Sequence, residues 1–509
     1  MNSNRKYNSI RNILSGFLNR LVGLGIPFIL RTILIELLGS QYLGLSNLFT
    51  SLLQVLNLAE LGFGTAITYS MYEPIANNDE ISICALLNLY KKIYRIIGII
   101  ILVLGLLITP FLKYFIKGSY PMDINIYIIF IIYLINTVAS FMLFSYKRCI
   151  LEADQKSYIM NNINTKVQFL LNIIKIILLI LFKNYYIYVI FFPIITIIDN
   201  IAVSIIIDKK YPNYYCKGNL NKEKLREIYK KVFALLIQKI GNAISNSLDN
   251  IIVSSFIGLS VLAIFSNYQY ISNSVLNIVI MCYGTLTASV GNSIVKENLE
   301  KNKNLFNNLV FINAWIGCWC AACLLTLFQP FMKIWVGKEL MFNMDTVIIF
   351  VFYFLVCQTR KIITVYKDAC GIWWEDKFRP LVGCFINLFL NIILVKKIGI
   401  NGVLLSTIFT YLFIEFPWEV IVLYKYYFKS SSRQYFKNSL QYFFITIFIS
   451  FITYKISNVI YVEGILGLLI KSIICIFIPN IIFIILYWNS KKMKDVLIMF
   501  RLKDKFIKN

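Results

Sequence analysis

No histidine occurs in the 509 residues. Its absence removes the commonest general base, the commonest metal ligand and every histidine-dependent triad, so membrane acyltransferase chemistry that relies on histidine is excluded. Charge is scarce as well. Only 15% of residues are charged, and the 25 acidic side chains are outnumbered by 50 basic ones. A small-residue cleavage site is missing after the first apolar run, which is therefore expected to stay as a membrane span and not to be removed as a signal peptide. Eleven cysteines are present, mostly scattered singly. Cys318, Cys320 and Cys323 cluster, but within an apolar run beside Trp315 and Trp319, where packing explains them better than a metal does. Neither metal nor cofactor is expected.

What the chain has in abundance is apolar surface: 59% hydrophobic residues, with 40 Phe and 33 Tyr. Runs of about 20 apolar residues, the length that crosses about 30 Å of hydrocarbon, recur from end to end. The expectation is an all-α polytopic membrane protein with about fourteen transmembrane helices. Two tight hairpins, 158–182/185–207 and 380–397/401–424, are the least distinct of these.

The chain also repeats itself. In 39–70 a turn glycine (Gly39), a Ser-Asn pair (Ser46, Asn47) and a closing Gly-Thr pair (Gly64, Thr65) bracket an apolar run, and the pattern returns in 257–290 with Gly258, Ser266, Asn267, Gly284 and Thr285. Tyr146-Lys147 falls on Tyr366-Lys367 at the same offset of about 220 residues. Two pseudo-symmetric six-helix lobes follow, 1–213 and 229–429, joined by a hydrophilic linker at 214–228. The segment 430–509 has no counterpart and reads as a further helix pair with a basic tail.

Basic residues set the orientation. The N-terminus, alternate loops and the tail carry 36 of the 50, so both termini are expected in the cytoplasm. The excess positive charge is a topology and anionic-lipid signal. Because it is spread over separate short loops, nucleic-acid binding is not expected.

Within the spans, polar side chains fall at helical spacing: Asn12, Ser15, Asn19 and Arg31 in the first, with Arg20 beside the stripe; Asn47, Gln54, Asn57 and Glu60 in the second; Thr165, Gln168, Asn172 and Lys175 in the fifth; Lys239, Asn242, Asn246 and Asp249 in the seventh. Charges at membrane depth are costly and face a bundle interior or a water-filled cavity, whereas Asn and Ser also serve as glue between helices. Candidate substrate-cavity residues are Arg20, Arg31, Lys239, Asp249, Asn47, Asn242, Asn246 and Lys175. Arg20 and Lys239 are repeat mates suited to gripping one diphosphate from two sides. Arg31 and Asp249 share a depth and are expected to pair as a gate.

The stretches LLGSQYLGLSNLF, LAELGFGTAITYSMYEPIANND, YKRCILEADQKSYI, SLDNIIVSSFIGL, FSNYQYI and DACGIWWEDKFRP, in this order, resemble Wzx-type polysaccharide flippases of the MATE-like (MOP) superfamily. The resemblance covers roughly residues 10 to 428. It implies lobes related by a pseudo-two-fold axis, alternating access, and a substrate of undecaprenyl-diphosphate-linked oligosaccharide moved from the inner to the outer leaflet of a bacterial plasma membrane. The partners it implies are that lipid-linked glycan, membrane lipids, a glycan polymerase and glycosyltransferases. Coupling to Na+ or H+ is open. Three rivals stand beside it: a membrane glycan polymerase, which would want a long catalytic outer loop; a drug or cation antiporter, which would want buried acids in the first lobe; and a flippase for peptidoglycan precursors.

Overall fold

The structure, a computed structural model, describes residues 2–57 and 63–499; most side chains in 2–10 and 233–246, and those at 284–289, also lie outside the described set. Glu60 is among the residues outside it. All regular structure among the described residues is helical. By internal packing the chain divides into two compact units, Met1–Ala263 and Ile264–Asn509.

The first unit contains α1 (Asn2–Leu37), α2 (Ser40–Leu56), α3 (Phe63–Ala76), α4 (Glu80–Ile108), α5 (Ile126–Met142), α6 (Arg148–Ala153), α7 (Ser157–Phe182), α8 (Tyr185–Lys210) and α9 (Lys222–Phe256). Short polar side chains start several of these helices by accepting otherwise unpaired backbone N–H groups. Asp79 caps α4 at Ser82 N, Asn125 caps α5 and Asn184 caps α8. Gly39 has φ +107° and Gly258 φ +128°, so both turn glycines of the repeat adopt backbone that side-chain-bearing residues avoid. A helix begins directly after each. The α7/α8 hairpin turns on Lys183 and Asn184 alone.

α9, which follows the linker, packs on α2 and α3 and so belongs to the first unit. Asn250 donates to Ser51 Oγ at 2.9 Å, and Ser254 Oγ to the Phe115 carbonyl at 2.7 Å. A Cβ on Gly44 would stand 2.1 Å from the Leu259 carbonyl oxygen, so the close approach of the two backbones requires glycine there. The first residues of the linker, with Asn213 before them, are docked on the N-terminal half of α4: Asn213 donates to Glu80, Asn88 to the Gly218 carbonyl, and Lys92 to Asn219.

α10 (Leu259–Lys296) runs on into the second unit, which contains α11 (Leu299–Trp335), α12 (Met344–Cys370), α13 (Arg379–Thr410), α14 (Phe416–Leu423), α15 (Arg433–Asn458), α16 (Gly464–Tyr487) and α17 (Lys491–Met499). α11 is its axis, packed against α12, α15 and α16 around Phe306, Phe311, Tyr366, Tyr442 and Phe483. The helical stretch Arg379–Phe428 has 50 residues, about 75 Å of helix against about 30 Å of hydrocarbon. It cannot cross once. It folds back at Ile398 and Gly399, where Gly399 has φ +59° and ψ −133°. Across the fold, Asn387 donates to Thr407 at 3.0 Å, which pairs the two arms antiparallel. The second arm carries two π-helical segments, Tyr411–Glu415 and Tyr424–Phe428.

Among the described residues nine helical segments are long and apolar enough to cross a membrane, ten if the bent α5/α6 pair is one span. Leu181, Leu466 and Ile485 on these segments are each about two-thirds exposed. Large aliphatic faces of this kind are unfavourable against water and natural against lipid tails. The chain is a multi-pass membrane protein.

Candidate functional site

The polar stripes on α1 and α7 face each other. The Tyr158 backbone N–H donates to Asn12 Oδ1 at 2.7 Å, and Asn19 Nδ2 donates to Asn164 Oδ1 at 2.8 Å and Thr165 Oγ1 at 3.0 Å. Asn164 in turn donates to Asp199 of α8 at 3.3 Å. Asp199 is salt-bridged to Arg148, whose guanidinium also donates to Asn200 at 2.7 Å. One relay of amides and charges therefore runs through α1, α7, α8 and α6.

Arg148 reaches this relay because the span is broken. α5 ends at Met142, Phe144 takes φ +59°, and the helix axis turns by 41° before α6 begins. The Phe141 carbonyl freed by the break accepts from Ser145 Oγ at 3.2 Å, which removes the cost of an unpaired acceptor.

The relay lines a chamber of about 900 Å³ with Asn57, Thr68, Tyr69, Tyr72, Tyr90, Tyr94, Glu152 and Gln168 among its walls. A second chamber of about 490 Å³, lined by Asn19, Arg31, Asn47, Asn172 and Tyr188, shares Asn164, Gln168 and Thr196 with the first. The walls are rich in amides, hydroxyls and tyrosine rings. Asp199 Oδ1, Asn200 Nδ2 and Asn57 Oδ1 are buried without a hydrogen-bond partner, although Asp199 and Asn200 are each only 4% exposed. Orphan groups of this kind are rare in finished protein interiors and common where a ligand completes the set.

Arg31 and Asn47 come together at 3.3 Å in the second chamber. Lys175 is fully buried just behind it, its Nζ 3.8 Å from the centre of the Tyr188 ring and 3.9 Å from that of Phe192, with no hydrogen-bond partner. Cation–π contact contributes about 2 kcal/mol to a desolvated ammonium, short of the several kcal/mol its burial costs. Arg20 is exposed on α1. Asp249 is buried in α9, within the same compact unit as Arg31, and both are engaged by neighbours. The side chains of Lys239, Asn242 and Asn246 lie outside the described residues.

Sequence reasoning missed the Arg148–Asp199 pair, and it missed a larger cluster in the second unit. There Arg360, Lys367 and Arg379 meet Asp376, Glu415 and Glu419. Arg360 contacts Glu415 at 2.5 Å and Glu419 at 3.1 Å, Arg379 contacts Glu415 at 2.5 Å and Asp376 at 2.9 Å, and Lys367 is bonded to Asp376. Three cations balance three carboxylates. Gly383 makes room for Glu415, whose Oε1 would lie 2.3 Å from a Cβ at that position. The signal was available: Asp199 and Glu419 are carboxylates inside apolar runs, separated by the same repeat offset as Lys147 and Lys367. Lys147 too is held by a carboxylate, Asp208, at 2.7 Å.

Helices broken beside a polar chamber inside a lipid-facing bundle are a feature of membrane-transporter folds. Solved structures agree on the fold. A lipid II flippase MurJ in an inward closed conformation is 17% identical, with a TM-score of 0.66 over 94% of this chain and 98% of that one. An inward-facing multidrug resistance MATE family transporter of the MOP superfamily is 15% identical, with a TM-score of 0.58 over 81% and 96%. A mutant of the Vibrio cholerae MATE transporter VcmN is 13% identical, with a TM-score of 0.55 over 84% and 99%. No curated protein matches the sequence. Residues 9–288, more than half of the chain, match the family described as polysaccharide biosynthesis protein, and the chain belongs to that family.

Proposed function

We propose that this protein translocates an undecaprenyl-diphosphate-linked oligosaccharide from the inner to the outer leaflet of a bacterial plasma membrane by alternating access. The observation that carries the reading is the chamber wall of the first unit: Asn, Gln, Thr and Tyr side chains suit sugar hydroxyls and sugar faces, in a chain of a polysaccharide biosynthesis family. Arg31 supplies a cation to the second chamber, suited to a diphosphate, and Lys175 lies buried behind the Tyr188 and Phe192 rings. Both termini are cytoplasmic in this reading, and the working lobes are 1–213 and 229–429, with 430–509 appended.

Two other readings have specific support. The likeness to a lipid II flippase fits a peptidoglycan precursor as cargo. A drug or cation antiporter is supported by Glu152 and Asp199 in the chamber, although Arg148 already neutralises Asp199. Deletion of the gene followed by analysis of lipid-linked glycans separates them. Accumulation of undecaprenyl-linked repeat units on the cytoplasmic face supports the proposal; accumulation of peptidoglycan precursor, or a normal lipid pool with altered drug sensitivity, supports a rival.

A further inference from the structure

The second unit contains a cavity unlike the chambers of the first. It has a volume of about 430 Å³ between α11, α12, α14 and α15, and its lining, which includes Ala314, Leu355, Phe413, Phe416, Leu440 and Phe443, contains no charged residue. Two of its lining side chains are Tyr435 and Ser439, one turn apart on α15, whose hydroxyls lie beside each other and are buried with no other hydrogen-bond partner. Tyr435 is 2% exposed. Other polar groups at the wall are used: Asn313 donates to the Gln358 carbonyl, Thr359 to the Leu355 carbonyl, and Tyr442 accepts from Lys492 at 2.6 Å. At the mouth Phe413 is 62% and Leu440 58% exposed. The cavity therefore opens sideways onto lipid.

Depth narrows the occupant. α15 has 26 residues, about 39 Å of helix, which exceeds the hydrocarbon core by about 9 Å and leaves about one turn in the interfacial layer at each end. Tyr435 and Ser439 stand about 3 and 9 Å from the start of the helix, the level of the glycerol esters in a bilayer leaflet. Lys429, Arg433 and Lys437 are exposed at the same end.

We propose that this cavity holds one acyl chain of a bilayer glycerophospholipid, with an ester carbonyl accepting from the hydroxyls of Tyr435 and Ser439 and the phosphate lying against Arg433 and Lys437. The chemistry selects an ester over an isoprenoid. A polyprenyl chain has no acceptor until its phosphate, so with that phosphate against Arg433 and Lys437 it would leave the Tyr435 and Ser439 hydroxyls unmet. An ester carbonyl is neutral and presents the acceptor that two orphan hydroxyls require.

The test is native mass spectrometry of the delipidated full-length chain in detergent, with three probes: dioleoyl phosphatidylglycerol, its diether analogue and undecaprenyl phosphate. The diester is expected to bind one per chain, and the diether about 30-fold more weakly, the loss that two hydrogen bonds produce. Tyr435→Phe with Ser439→Ala should bind both equally. Ala314→Leu, which fills the cavity, should lose the bound lipid while keeping its melting temperature in lipid-free detergent. Equal binding of diester and diether by the unaltered protein, a preference for undecaprenyl phosphate, or retention of lipid by Ala314→Leu would overturn the proposal. None of these readouts involves translocation, so failure here is distinct from failure of the proposed function.

Discussion

Replacing Arg379 with methionine probes the six-charge cluster of the second unit. The side chain is 2% exposed and touches Asp376, Glu415 and Glu419 at once. Its loss leaves three buried carboxylates facing two cations. Breaking a buried ion pair from one side costs about 3–5 kcal/mol, because the abandoned charge stays desolvated. For a compact unit of this size each kcal/mol corresponds to about 2–4 °C, so thermal unfolding in detergent should begin about 6–20 °C lower. The double change Arg379→Met with Glu415→Gln restores the balance of charge and should recover more than half of that loss, since Glu419 and Asp376 keep Arg360 and Lys367. A drop of less than about 3 °C in the single variant, the scale of one kcal/mol, would refute the reasoning. So would a double variant no more stable than the single.

Other outcomes are expected. Asp199→Asn should lower transport at least about 10-fold with folded protein retained, because the amide keeps the shape of the chamber wall and loses the charge partner of Arg148; growth complementation with a fluorescence-detected measure of folded protein checks it. Lys175→Met should keep or raise the melting temperature, removing a buried charge that no hydrogen bond supports, and should reduce transport; unchanged transport removes Lys175 from the site. Arg20→Ala and Lys239→Ala are each expected to cut transport of the lipid-linked glycan with near-normal expression, while Arg20→Lys keeps part of the activity; a fully active double alanine variant ends their assignment. A cysteine at Asn219 in a Cys-less background should resist an impermeant thiol reagent in intact cells and react after permeabilisation, whereas labelling from outside would reverse the topology.

Much of the helical framework was legible because it rests on local physics. Gly39 and Gly258 announced turns that the backbone makes with positive φ, and two residues between apolar runs at 183–184 sufficed to mark the α7/α8 hairpin. The Asn stripe on α1 marked an interior face, since Asn12 and Asn19 bond to α7, but the sequence did not name α7 as its partner. What stayed hidden was long-range pairing. Arg148, Arg360, Lys367 and Arg379 were counted among loop cations that set topology, yet each is bonded to a carboxylate from elsewhere in the chain, and the last two are fully buried. Nothing in the residues 142–145 signals the 41° bend that delivers Arg148, because neither glycine nor proline occurs there. Compared across the repeat, Asp199 stands at an open chamber in one unit while Glu419 is closed in by three cations in the other. A repeat offset alone cannot reveal that asymmetry; it depends on which neighbours the fold brings in.

The central claim is tested most directly in proteoliposomes carrying undecaprenyl-diphosphate-linked oligosaccharide in one leaflet, with glycan exposure on the other followed by an impermeant glycosidase. The purified protein should expose the glycan faster than protein-free vesicles, and Asp199→Asn, incorporated at equal density, should abolish most of the difference. Exposure no faster than in protein-free vesicles, with the same preparation instead moving a cationic drug against a Na+ or H+ gradient, would contradict the account.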